Sequence, residues 1–242
     1  MIEVLELKKK FGAVQAVDGA SFQAEDGQVT GLLGPNGAGK TTTLRMLYGL
    51  IHPDAGSIRL DGLDVLADPL GAQKHIGALT DARGLYVRLT TREHIRYYGE
   101  LRQMTLKAIS KETDRLTELL DMGAILDRRT QGFSQGERMK VALACALVHS
   151  PRNLLLDEPT NGLDVMSTRA VRGLITHLKD AGHCVIFSSH IMQEVSALCD
   201  RIVVMAKGRV VATGSGEELL ERSHCDNLED AFLVLAGEEE CP

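Results

Sequence analysis

Gly34-Pro35-Asn36-Gly37-Ala38-Gly39-Lys40-Thr41-Thr42 is the stretch on which the reading of this 242-residue chain turns. It fits the pattern G-x-x-x-x-G-K-[ST], a loop that cradles phosphate groups. An apolar run at 29–33 precedes it and reads as a buried strand, and a helical run at 40–50 follows. Strand, loop and helix in that order are the context the pattern requires. Glycines at 34, 37 and 39 let consecutive N–H groups turn inward as a concave anion nest. The helix that opens there adds the positive end of its dipole. Lys40 can then reach the β- and γ-phosphates, and the Thr41 hydroxyl can sit on Mg²⁺. The competing reading, a glycine-rich turn that binds nothing, leaves the full pattern and its context unexplained.

A chain of this length buries a proper core and suits one large domain or two small ones. Its 44% hydrophobic and 25% charged residues describe an ordinary soluble globular protein. The net charge of −6 argues against a nucleic-acid binder that relies on a broad basic surface. The five cysteines, at 145, 184, 199, 225 and 241, include no C-x-x-C pair. An odd, scattered set speaks for a reducing compartment and against a disulfide framework or zinc site. Residues 1–10 lack the apolar core of a signal peptide. No apolar run approaches the ~18 residues of a membrane span. The expectation is a cytosolic protein, or the cytosolic part of something larger.

Outward from the loop, Ala20, Phe22 and Ala24 alternate with Ser21, Gln23 and Glu25, the pattern of a half-buried strand. After the loop's helix, His52-Pro53-Asp54-Ala55-Gly56 is a break, and residues 57–60 return as a strand. Asp68-Pro69 reads as an N-cap with proline at the first helical position. From about 85 to 149 the character turns helical. Thr90-Thr91-Arg92-Glu93 is a capping box, residues 111–120 carry leucines at helical spacing, and 134–147 is a mostly apolar, buried helix. This block is an insertion between two halves of a nucleotide-binding core. Beyond it, strands at 153–156 and 184–188 alternate with a helix at 168–178. Lys207-Gly208 turns a hairpin, Ser215 with Glu218 starts a helix, and the last residues are solvated and frayed. Strands alternating with helices point to an α/β sheet.

Asn153-Leu154-Leu155-Leu156-Asp157-Glu158 is an apolar strand ending in two acids, the Walker B pattern. A carboxylate at the end of a buried strand beside a phosphate loop is where Mg²⁺ needs an oxygen ligand, which assigns Asp157 to the metal. Glu158 is placed to polarise the attacking water as a general base. On its own the stretch would be a strand end with charged turn residues; the phosphate loop changes that.

Phe133-Ser134-Gln135-Gly136-Glu137, about twenty residues earlier in the chain, resembles the L-S-G-G-Q signature of ATP-binding-cassette (ABC) ATPases. Asn161-Gly162-Leu163-Asp164 resembles that family's D-loop, and Ser188-Ser189-His190 ends in its switch histidine. The order and spacing agree from Val4 to about Gly214. The resemblance implies a P-loop NTPase fold of ABC type: a RecA-like core, an antiparallel β subdomain and a helical subdomain at about 85–149. The ATPase domain would span 1–224, with a tail at 225–242. It also implies a head-to-tail dimer in which MgATP lies between one copy's phosphate loop and the other's signature. Ser134, Gly136 and Glu137 would meet the partner's nucleotide, and Ser134-x-x-Glu137 is a capping box at the same time. Lys40, Glu158 and His190 would do the catalytic work, and Asp164 would link the two sites. Phe11 matches the aromatic that stacks on adenine; a core phenylalanine is the alternative.

Three departures stand out. Asp81 takes the place where the family usually carries a glutamine that touches Mg²⁺. The signature has Gln135 for glycine and Glu137 for glutamine, and Glu137 should weaken the closed sandwich unless a base offsets it. Cys145 falls where many relatives carry arginine. Gly84-Leu85-Tyr86 with 89–94 resembles the surface that grips a transporter's membrane subunit. Asn227-Leu228-Glu229-Asp230-Ala231-Phe232-Leu233 resembles the tail of ABC-2-type exporters, and the combination of Asp81, Gly84-Leu85-Tyr86, Arg92-Glu93-His94 and Phe133-Ser134-Gln135-Gly136 looks most like their sodium-export branch. The resemblance therefore implies an ATPase on the cytoplasmic face of the membrane, driving export of Na⁺, a drug-like molecule or another substrate through a separate permease, without nucleic acid. The alternative is a soluble, non-transport ABC ATPase acting on ribosomes or chromosomes. Such proteins usually carry two cassettes or a coiled-coil insertion, and this chain shows one phosphate loop and no sustained heptads.

Overall fold

The computed structural model describes residues 1–80 and 84–237. Asp81 and residues 238–242, with the expected fraying of the last segment, lie outside the described residues. The described residues build two sheets. The first is antiparallel, in the order β2-β1-β4-β5, from β1 (Ile2–Phe11), β2 (Val14–Ala24), β4 (Ala55–Leu60) and β5 (Leu63–Asp64). The second has six strands in the order β10-β9-β3-β8-β7-β6. They are β3 (Val29–Leu33), β6 (Ile76–Leu79), β7 (Asn153–Asp157), β8 (Cys184–Ser189), β9 (Arg201–Ala206) and β10 (Arg209–Gly214). Five of these run parallel, and β10 returns antiparallel as the second arm of the Lys207-Gly208 hairpin.

Burial explains the residue choice. Every residue of β3, β7 and β8 is buried, so these strands read as continuous apolar runs, as expected of a parallel sheet covered on both faces. The half-covered β2 alternates instead: Ala20, Phe22 and Ala24 are buried and the residues between them are not. The helix after the loop, α1 (Lys40–Leu47), packs its Leu44, Met46 and Leu47 into an apolar cluster between the two sheets. It stops at 47 rather than 50, because Gly49 takes a left-handed φ of 68° and turns the chain out. Asp68 caps a short α2 (Pro69–Gln73), accepting the Gly71 N–H at 2.9 Å.

The expected helical block is α3 (Thr91–Leu101), α4 (Leu106–Leu119) and α5 (Gln135–Leu147). Thr90 and Ser134 cap α3 and α5 in full capping boxes. Helix α4 begins at 106, earlier than the leucine spacing suggests, because Thr105 caps it by accepting the Ala108 N–H. The same effect lengthens α6 (Val165–Asp180), which starts where Asp164 accepts the Ser167 N–H. A second apolar cluster joins α5 and α6 to the other face of the parallel sheet and includes Phe232 of α9 (Leu228–Ala236). Among the described residues the remaining α-helices are α7 (Met192–Leu198) and α8 (Gly216–Ser223), with a short 3-10 turn at Gly123–Ile125.

Candidate functional site

The parallel sheet delivers three loops to one edge: the phosphate loop after β3, the acids after β7 and the histidine after β8. At the foot of α1, Gly39 holds φ 100°, and a Cβ there would stand 2.5 Å from the Ala16 carbonyl oxygen. Only glycine fits, for conformation and space together. Lys40 is 5% exposed and its Nζ donates to the carbonyls of Gly34 at 2.6 Å and Pro35 at 3.1 Å. Burial lowers its pKa, and the charges of Glu158 and Asp157 partly oppose that shift.

Asp157 ends β7 beside Ser188 and is buried. Its Oδ1 accepts hydrogen bonds from Thr41 Oγ1 at 3.1 Å and Ser188 Oγ at 2.6 Å. Ser188 Oγ in turn accepts the Glu158 N–H at 3.0 Å. That bond helps hold Glu158 at φ 47°, a left-handed conformation that costs a non-glycine residue about 1–2 kcal/mol. The Glu158 carboxylate lies with Oε2 2.8 Å from His190 Nδ1 and Oε1 3.8 Å from Lys40 Nζ. A cleft of about 370 Å³ opens there, with Asn36, Gly37, Gly39, Lys40, Thr41, Thr42, Glu158, Asn161 and His190 among its walls. Its mouth includes Val14, Gln15 and Ala16, which the motif pattern left out. Phe11 is 48% exposed and pairs with Val14 across the β1–β2 turn, so the core alternative for this side chain falls.

The donor set fits a nucleotide with magnesium. A buried lysine and loop N–H groups suit phosphate, and a hydroxyl beside one carboxylate suits a hard cation that takes further ligands from phosphate. Thr41 and Asp157 would hold that ion.

The signature residues are not in this cleft. Ser134 and Asp164 are exposed caps of α5 and α6, and Gly136 lines a separate cavity between α4, α5 and α6. A Cβ at Gly136 would meet Ser167 Oγ at 2.3 Å, so glycine lets the two helix starts approach. Glu137 Oε2 accepts the Ser134 N–H at 2.8 Å, which with the nearby Arg128 keeps its carboxyl below the usual range. Arg128 Nη1 lies 3.2 Å from Glu137 Oε1, and its guanidinium stands over the Phe133 ring at 5.2 Å. Arg128 thus stands beside Glu137 as a base of the kind the sequence reading asks for. Cys145 is buried, with its thiol pushed up by burial. In the sequence Ser188 stands out only as a neighbour of His190; its tie to both acids depends on strand register, which no local signal carries.

Residues 17–161 match the ABC transporter family. The chain belongs to that family. It is 41% identical over 227 residues to the ABC transporter ATP-binding protein NatA of Bacillus subtilis (strain 168), with 93% of this chain and 92% of that one covered. It is 33% identical to the linearmycin resistance ATP-binding protein LnrL of the same strain, over 97% of this chain and 78% of the other. Among solved structures it resembles an ATP-binding subunit of an ABC transporter, with TM-score 0.89, 26% identity and coverage of 97% and 99%. It also resembles cbiO1 from Clostridium perfringens, part of the ABC transporter complex cbiONQ, with TM-score 0.82, 26% identity and coverage of 91% and 90%. The P-loop fold of ABC type is thereby established, and with it an ATP-binding, ATP-hydrolysing subunit of the transporter class.

Proposed function

We propose that this subunit energises export through a separate membrane permease, and that two copies clamp MgATP head to tail. The observation that carries the reading is a separation. Lys40, Glu158 and His190 line one cleft and Asp157 bonds to Thr41 on its wall, while Ser134, the exposed cap of α5, and Gly136 are not among its walls. A complete site then needs a second copy, whose Ser134, Gly136 and Glu137 would close over the γ-phosphate, with Asp164 at the seam.

In this reading residues 34–42 bind the phosphates, Phe11 stacks on adenine and Thr41 with Asp157 holds magnesium; Asp81 is a further proposed ligand. When bound, magnesium neutralises phosphate charge. Glu158 takes a proton from the attacking water, and His190, against its other oxygen, holds the carboxylate in place. Residues 1–224 form the ATPase domain, with its helical subdomain at about 85–149 and a tail at 225–242. Among the described residues no helix is long and apolar enough to cross a membrane, and the proposed location is the cytoplasmic face beside the permease. The cargo, by the motif resemblance to the sodium-export branch, is Na⁺ or a drug-like molecule.

The test is purification of tagged protein from its own cells in mild detergent, with ATP and the Glu158→Gln change to hold the clamp closed. A polytopic membrane protein in stoichiometric amount is the expected result. Recovery of ribosomes or nucleic acid instead would leave the ATPase standing and remove the transport reading.

A further inference from the structure

Behind the pair formed by Glu158 and His190 lies a buried carboxylate with no part in the roles assigned above. Glu194, on α7, is 4% exposed. Its Oε2 accepts two hydroxyl hydrogen bonds, from Thr160 Oγ1 at 2.6 Å and from Ser189 Oγ at 3.1 Å. Its Oε1 faces Arg172 Nη2 of α6 at 3.7 Å.

The two hydroxyls belong to the two turns that present the reacting side chains. Thr160 follows Glu158 in a turn where the Asn161 N–H donates to the Glu158 carbonyl at 3.2 Å and the Leu163 N–H to the Thr160 carbonyl at 3.1 Å. Ser189 precedes His190, and its Oγ also accepts the Ile191 N–H at 3.0 Å, which joins the residues on either side of the histidine. A single carboxylate oxygen therefore pins both turns. A buried charge is tolerated only with compensation, and here two O–H groups and a guanidinium provide it. Packing alone would be served as well by an apolar residue; an oxygen shared by two turns fixes their spacing, which an apolar residue cannot do.

We propose that Glu194 is a positioning residue that sets the approach of His190 to Glu158, and that it acts on the chemical step rather than on nucleotide binding. The proposal rests on Glu158 as general base with His190 as its partner. Glu194 is not among the residues lining the phosphate cleft, so its removal leaves the nucleotide contacts in place. Its removal frees the two turns, and a misplacement of about 1 Å near the reacting atoms is worth roughly 10²-fold in rate.

The experiment measures kcat for ATP hydrolysis and Kd for labelled ATP on the full chain carrying Glu194→Ala, Glu194→Gln, Thr160→Val or Glu158→Gln. Glu194→Ala is expected to lower kcat by about tenfold or more while Kd stays within about threefold. Glu194→Gln should recover most of the rate, because its one carbonyl oxygen can accept both hydroxyls. Thr160→Val keeps the shape and removes one of the two ties, so it should lose rate at unchanged Kd even where Glu194→Ala does not fold. Wild-type kcat in Thr160→Val and Glu194→Ala overturns the proposal. So does a joint loss of rate and affinity that Glu194→Gln fails to restore, since that is ordinary loss of structure. Wild-type turnover in Glu158→Gln would remove the underlying catalytic reading itself, whereas an inactive Glu158→Gln beside a normal Thr160→Val removes the positioning role alone.

Discussion

The phosphate-loop face and the signature face handle their polar groups in opposite ways. At the loop, Lys40 and Asp157 are 5% and 1% exposed, and backbone carbonyls or neighbouring hydroxyls engage them within the chain. At the start of α5, Ser134 is exposed, Glu137 is held by its own cap, and Arg128, over half exposed, provides the counter-charge from outside the helix. Buried groups keep full electrostatic strength because little water screens them, and exposed ones lose most of it. The difference fits the proposed function, in which the face that holds Lys40 and Asp157 binds the nucleotide and the exposed face meets a second copy.

The sharpest way to break this comparison is Glu158→Gln. It should lower ATP turnover by about 10²- to 10⁴-fold while labelled ATP still binds, as loss of a general base requires. Near-normal turnover would show that the chemistry is not on the phosphate-loop face. Next in size, Lys40→Ala should weaken labelled-ATP binding by about 10- to 100-fold, the worth of a charge-assisted hydrogen bond in a dry site. The same lysine predicts a pH trend. Its pKa is depressed from the ordinary 10.5, so phosphate is bound by a group that loses its proton early. Affinity should be full below that lowered pKa and fall as the pH rises through it, sooner than for an ordinary lysine.

On the exposed face the effects should be smaller and of another kind. Ser134→Ala removes one arm of the capping box and should cost about 1 kcal/mol of stability by thermal melting. Binding of ATP to a single copy should not change, whereas steady-state turnover should fall. Loss of single-copy affinity in this variant would erase the distinction between the faces. Arg128→Ala should be milder still, under about 1 kcal/mol in stability, because both partners of its ion pair are partly solvated. Its signature should be weaker ATP-driven self-association, regained when Glu137→Gln is added.

Much of the site was legible before any coordinates. Lys40, Thr41, Asp157, Glu158 and His190 sit in motifs whose residue types and order state their chemistry, and the structure brings all five to one edge of the sheet. The caps at Thr90, Ser134 and Ser215 were readable too, because a capping box is a local hydrogen-bond pattern that spans four residues. What escaped was two helix starts set by single caps, and otherwise non-local. Thr105 and Asp164 extend α4 and α6 beyond their apolar spacing, since a cap can carry a helix past its packed face. Arg128 is nine positions before Glu137, and nothing in the spacing announces that they pair. Glu194 reads as an acid at the start of a short helix, an ordinary dipole partner, until its burial behind the turns at Thr160 and Ser189 is seen.

By itself, the sequence determined the α/β class, the phosphate loop, the acids at the end of β7 and the family, because each rests on contiguous residues whose conformational and chemical preferences are local. Only the tertiary structure decided that Ser188 ties both acids, that Phe11 is exposed and that the signature residues stand outside the walls of their own chain's phosphate cleft. These follow from strand order and from the packing of α5 and α6 on the sheet. Both are set by the simultaneous burial of distant apolar segments, a quantity that no short window of sequence contains.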